Sequence, residues 1–167
     1  MAITPDSPGT TSLRSTAAIA LSVAAIVAAA TPASASPTHR MFLLPNMHTC
    51  DFQLVTTPLG RAGAKSFAEI DSDGRSVVAH IEMTNGADSA QYVVRMIPAP
   101  HAQLGCLAGD RGITTGALAT DEFGNGSLTL QAAMSPGTTG VWLAVDLPAA
   151  HSQVPREFYS SNYIAAV

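Results

Sequence analysis

The side chains able to do chemistry are few and scattered. Five histidines, His39, His48, His80, His101 and His151, include no His-x-His or His-x-x-x-His pair, the spacings that put two imidazoles on one metal from a single element. Met47-His48-Thr49-Cys50 gathers ligand types that suit a soft metal. It therefore anchors a metal- or small-ligand-binding reading, set against an ordinary disulfide cysteine with unremarkable flanks. Asp71 and Asp73 begin like a calcium loop, but glycine falls at the fourth position instead of the sixth. The twelfth position is Glu82, inside a strand pattern, so a plain turn is expected there. Asp110, Asp121 and Glu122 are the acids that a loop-held calcium site would have to use. Asp121 and Glu122 are adjacent on one turn and do not face each other across a sugar, as a glycosidase pair must. No Gly-x-Ser-x-Gly elbow, glycine-rich phosphate loop or Ser-x-x-Lys pair occurs after the N-terminal apolar run. No motif implies a cofactor, and none assigns a catalytic or metal-binding residue.

Cys50 and Cys106 are the only thiols. A copper site would need His and Met a few residues beyond its cysteine. The next histidine after Cys50 is His80, and after Cys106 it is His151. A nucleophilic cysteine needs a neighbouring base and reducing surroundings. In an exported chain two cysteines pair, and only one intramolecular pairing exists. A Cys50–Cys106 disulfide is the expectation. Aromatic residues make up 5% of the chain. Their one cluster, Trp142, Phe158, Tyr159 and Tyr163, either forms a patch for a sugar or protein partner or closes the edge of the core.

The compartment is read from the N-terminus. Arg14 precedes the apolar run Ala17–Ala30, which is shorter than the roughly 20 residues that span a bilayer. Thr31-Pro32 then leads to Ala33-Ser34-Ala35, the small-residue pattern of a signal-peptidase site. Cleavage between Ala35 and Ser36 is expected, with residues 1–35 as the secretion signal. The alternative is an uncleaved anchor. The remaining chain would meet a membrane only transiently, through that signal, and be secreted or held in the cell envelope. The net charge of −4 over 167 residues, with 12% charged, offers no basic footprint for nucleic acid or anionic lipid.

The elements that must position these residues are short strands. Residues 36–47 carry Pro37 and Pro45 around Met41-Phe42-Leu43-Leu44 and are expected as a flexible lead with at most a short edge strand. A single domain, 48–167, follows. Val77, Ala79, Ile81 and Met83 fall on one face of a strand, with Val78, His80 and Glu82 on the other. Tyr92, Val94 and Met96 alternate with Gln91, Val93 and Arg95. Leu128, Leu130 and Ala132 share a face, as do Val141, Leu143 and Val145, with Trp142 opposite. Asp71–Gly74, Asn85-Gly86, Asp121–Gly126 and Ser135–Gly140 are turn signals, and Pro148–Arg156 reads as a connection. Strands with turns every 8–12 residues give an all-β fold, an antiparallel β-sandwich of Greek-key, immunoglobulin-like architecture.

Gly116-Ala117-Leu118-Ala119-Thr120-Asp121 followed by Gly124-Asn125-Gly126-Ser127 resembles a hairpin of small exported actinobacterial proteins of unknown function. Tyr92–Met96 and Gly137–Trp142 are similar to that group as well, so the resemblance covers about residues 75–165. It implies a β-sandwich and export, and no catalytic residues. Three functions follow in order. The first is a non-enzymatic extracellular or envelope interaction module with an unknown protein or envelope partner. The second is a metal- or small-ligand-binding β protein, and the third a secreted hydrolase assembled across loops.

Overall fold

Period-two alternation organises nearly every strand, because one face of each must leave water. The computed structural model describes residues 38–55 and 63–167. The expected signal and the Ala35–Ser36 cleavage point lie outside the described residues. Eleven strands follow in order: β1 (His39–Leu44), β2 (Met47–His48), β3 (Leu54–Val55), β4 (Lys65–Ser72), β5 (Ser76–Thr84), β6 (Gln91–Ala99), β7 (Thr114–Ala119), β8 (Gly126–Ala133), β9 (Gly140–Ala149), β10 (Ser152–Ser161) and β11 (Ala165–Ala166). The described residues contain no helix. Every strand pair is antiparallel.

One sheet runs β7-β6-β9-β10-β1-β4-β5-β8, with β11 added to β9, while β2 and β3 pair only with each other. Its two end strands, β7 and β8, lie side by side without a hydrogen-bonded ladder. Leucines fill that seam. A Cβ on Gly116 of β7 would stand 2.5 Å from Leu130 Cδ2 and 3.0 Å from Leu128 Cδ2. The missing side chain is thus what lets β8 pack against β7. The sheet is nearly closed, a barrel-like sandwich. Counting the seam, β9 lies beside β6 to give the order β9-β6-β7-β8.

The alternation expected for β5, β6 and β9 holds. Val77, Ala79, Ile81, Met83, Tyr92, Val94, Val141, Leu143 and Val145 all lie inside, at most 1% exposed. Three expectations need correction. The strand in the 36–47 lead is not at an edge. β1 is an interior strand between β10 and β4, with Met41 and Leu43 buried. Its alternation was masked because the outward residues, Phe42 and Leu44, are apolar too. Asp121–Gly126 closes on itself, with Asp121 N–H donating to the Asn125 carbonyl at 2.8 Å, but the flanking strands do not form a hairpin. β7 pairs with β6 and β8 with β5. Pro148–Arg156 is not a connection. β9 runs to Ala149 and β10 starts at Ser152, with a register shift between Ser152 and Glu157 where Pro155 has no amide to donate.

Inside the barrel two tyrosines share one carboxylate. Tyr92 and Tyr159 donate to Glu157 Oε2 at 2.8 and 2.9 Å, and their oxygens accept N–H groups of Ala87 and Ala64 at 2.8 and 3.2 Å. Burial raises both phenols, Tyr159 to about 12, and the nearby Glu157 carboxylate adds to the shift. A phenol whose folded pKa exceeds its unfolded value stabilises fully below the unfolded pKa of about 10 and loses that contribution as pH rises toward the folded one. Urea melts are therefore expected to show stability falling from pH 10 to 12. The Tyr159→Phe variant should have a shallower fall over that window. An unchanged slope would remove Tyr159 from the transition.

Candidate functional site

The outward face of β6, β9 and β10 is not left to solvent. Registers Val93↔Asp146, Arg95↔Ala144, Phe158↔Asp146 and Ser160↔Ala144 place these six side chains on one patch of sheet, two from each strand. β2, β3 and the loop between β6 and β7 cover part of it. The Cys50–Cys106 disulfide links these segments, confirming the expected pairing. Such a bond is compatible with an oxidising location. Around it Ile97, Trp142 and Ala144 form a second buried cluster, packed by Phe52 and Ile113 and separate from the barrel core.

Between sheet and cover lies a cleft of about 520 Å3. Val93, Ala144 and Phe158 contribute apolar walls, and Met47, Leu104 and Leu107 line it while remaining exposed. Among the described residues its charged groups are one pair. Arg95 bonds Asp146 through Nη2 and donates from Nη1 to the Cys106 carbonyl at 2.7 Å. Burial pushes the Asp146 carboxyl up, and Arg95 offsets part of that rise. Arg95 Nε and Trp142 Nε1 are buried donors with no partner among the described residues.

His48, on β2, stacks on Phe52 at 4.2 Å between ring centroids and meets Trp142 edge-on at 6.1 Å. Its Nδ1 lies 2.7 Å from Ser160 Oγ, and the Ser160 hydroxyl donates to the Asn46 carbonyl at 2.7 Å. Burial lowers the imidazole pKa. This serine and histidine do not make a nucleophile. The hydroxyl proton is committed to a carbonyl, and the serine is 2% exposed. Comparison with known protein families, with curated proteins and with solved structures finds no match.

The other expected residues scatter. Trp142, Phe158 and Tyr159 are 1%, 4% and 0% exposed, so the four aromatics are not a surface patch. Alternation divides them. Trp142 and Phe158 face the cleft side, Tyr159 enters the barrel core, and Tyr163 is half-buried with its hydroxyl donating to the Arg40 carbonyl at 2.9 Å. Asp73 caps its own turn through the N–H groups of Arg75 and Ser76 at 2.8 and 2.6 Å. Asp121 likewise accepts from Phe123 and Asn125 at 2.9 and 2.8 Å, and Asp110 from Leu107 at 2.7 Å. His80 meets Thr129 across strands at 2.9 Å. Among the described residues no three His, Cys, Asp or Glu side chains gather. Arg95, Asp146 and Ser160 were not singled out as a site. The available signal was a lone opposite charge in each of two apolar strands, Val93–Ile97 and Ala144–Leu147.

Proposed function

We propose that this chain is an exported, non-enzymatic binding module working through the outer-face cleft. The observation that carries this is a concave site within the size range of small-molecule pockets, mostly apolar, with one balanced ion pair on its floor. The disulfide across its cover and the signal-like N-terminus support export, as does the resemblance to small exported actinobacterial proteins. The burial of the expected aromatic patch favours a small ligand over a protein partner docking there. An immunoglobulin-like architecture would lend no weight either way, since such sandwiches host many functions.

Two measurements test the reading. Intact mass of the chain recovered from culture medium is expected to start at Ser36 and to lack two further hydrogens. Retention in the cell with residues 1–35 attached would remove the export half. For binding, Ala149 lines the cleft at the end of β9 and is only half-buried, so Ala149→Trp should fill the site without disturbing the core. In a thermal-shift panel of neutral aromatic compounds, some should raise the Tm of the parent chain and leave Ala149→Trp unmoved. A panel in which both chains respond alike would sink the cleft as the site.

A further inference from the structure

One hydrogen-bonding group of the cleft, His48, has its role fixed by its neighbours. A serine hydroxyl has one proton, and a carbonyl can only accept, so the 2.7 Å contact to Asn46 consumes the Ser160 proton. The 2.7 Å contact between Ser160 Oγ and His48 Nδ1 then requires the hydrogen on Nδ1. That leaves Nε2 of the neutral ring as an acceptor with no partner among the described residues. The burial that lowers the His48 pKa keeps the ring neutral at pH 7. On the floor, Asp146 Oδ2 is held by Arg95, while Oδ1 has no partner among the described residues. Arg95, the one cationic side chain among the described residues that line the cleft, commits one N–H of each Nη to Cys106 and Asp146, and its Nε, like Trp142 Nε1, is buried. The amides of Asn46, Gln103 and Gln153 stand at the exposed rim, where water satisfies them in either role. The interior of the site therefore offers two open acceptors, His48 Nε2 and Asp146 Oδ1, on an apolar surface.

Charge narrows the occupant further. Arg95 and Asp146 cancel, so an anion would face the carboxylate and a cation the guanidinium, each in partly desolvated surroundings. We infer that the cleft takes a neutral, largely apolar small molecule carrying a hydroxyl or N–H donor, of phenol or indole type, with His48 Nε2 accepting that donor and Asp146 Oδ1 serving as a second acceptor. This rests on the cleft being the binding site.

The test is a matched pair of probes. 4-Propylphenol and 4-propylanisole differ by one methyl group that removes the donor, and 4-propylbenzoate adds a charge. By calorimetric titration at pH 7.5 the phenol is expected to bind the full exported chain about tenfold more tightly than the ether, as one hydrogen bond to a part-buried acceptor allows. The benzoate should bind more weakly than either. In His48→Phe the phenol's advantage should vanish, since the more apolar ether then binds at least as well. The 15N signal of His48 Nε2 in the unmodified chain should move upfield with phenol and not with ether, which needs no variant. Equal affinity for phenol and ether, tighter binding of the benzoate, or an undiminished preference in His48→Phe would each overturn the inference while leaving the cleft a binding site. Failure of every probe to bind, with Ala149→Trp indistinguishable from the parent chain, would overturn the cleft reading as well.

Discussion

Replacing Cys50 and Cys106 together by alanine is expected to cost about 4 kcal/mol of folding stability and to lower Tm on the order of 10 °C. The bridge joins residues 56 apart in sequence, and closing so long a loop removes much of the denatured chain's freedom. The loss should not fall evenly on the molecule. The barrel core contains neither cysteine, whereas the second cluster contains both. β2 and β3 have no ladder to the main sheet. Without the bridge, their non-covalent attachment among the described residues includes the contacts of Ser160 with His48 and the Asn46 carbonyl, the Cys50 N–H bond to the Gln103 carbonyl at 3.3 Å, and the packing of His48 and Phe52 on Trp142. The double variant should keep the far-UV signature of the barrel and lose probe binding at the cleft. Urea melts at fixed slope measure the first quantity, and titration with 4-propylphenol the second. A loss under about 1 kcal/mol, with binding intact, would mean that packing alone holds the cover.

The barrel was legible in the sequence wherever one face of a strand is polar. β5 alternates cleanly because His80 and Glu82 face water while Ala79, Ile81 and Met83 are buried. β1 fails the same reading because Phe42 is 60% exposed, so the run carries no polar beat. Turn residues also spoke only locally. Gly124 has a positive φ of 75°, and a Cβ there would lie 2.2 Å from the Gly86 carbonyl oxygen of the turn after β5. That glycine therefore serves the contact of two distant loops as much as its own turn. The cleft was least visible. Arg95 and Trp142 were each placed on the correct face by period two, but the neighbour relations β6–β9 and β9–β10 depend on strand order, which local pattern does not encode. The same limit explains the aromatic patch. Phe158 and Tyr159 are adjacent in sequence, and adjacency on a strand sends them to opposite faces.

Breaking the Arg95–Asp146 pair from one side is expected to cost about 3 kcal/mol, and removing both charges to cost almost nothing. Arg95→Met leaves a carboxylate beneath the cover with its compensating cation gone. Asp146→Leu leaves a guanidinium with only the Cys106 carbonyl as acceptor among the described residues. In Arg95→Met/Asp146→Leu neither charge is stranded, and added apolar contact offsets the lost attraction. A pH series separates this from simple loss of packing. Burial holds the Asp146 pKa above its unfolded value even with Arg95 present. The folded state thus binds that proton more tightly than the unfolded one. Asp146's contribution is fully present below the unfolded pKa of about 3.9 and declines as pH rises through the raised folded value. Taking away Arg95 raises that value further, so Arg95→Met should lose stability with rising pH more steeply than the parent chain. The double variant should lack this component. A pH slope in Arg95→Met no steeper than in the double variant would show that its cost is lost packing, with no stranded charge. If the double variant folds as well as the parent chain yet binds 4-propylphenol more weakly, the pair owes its place to the cleft, since the barrel stands without it.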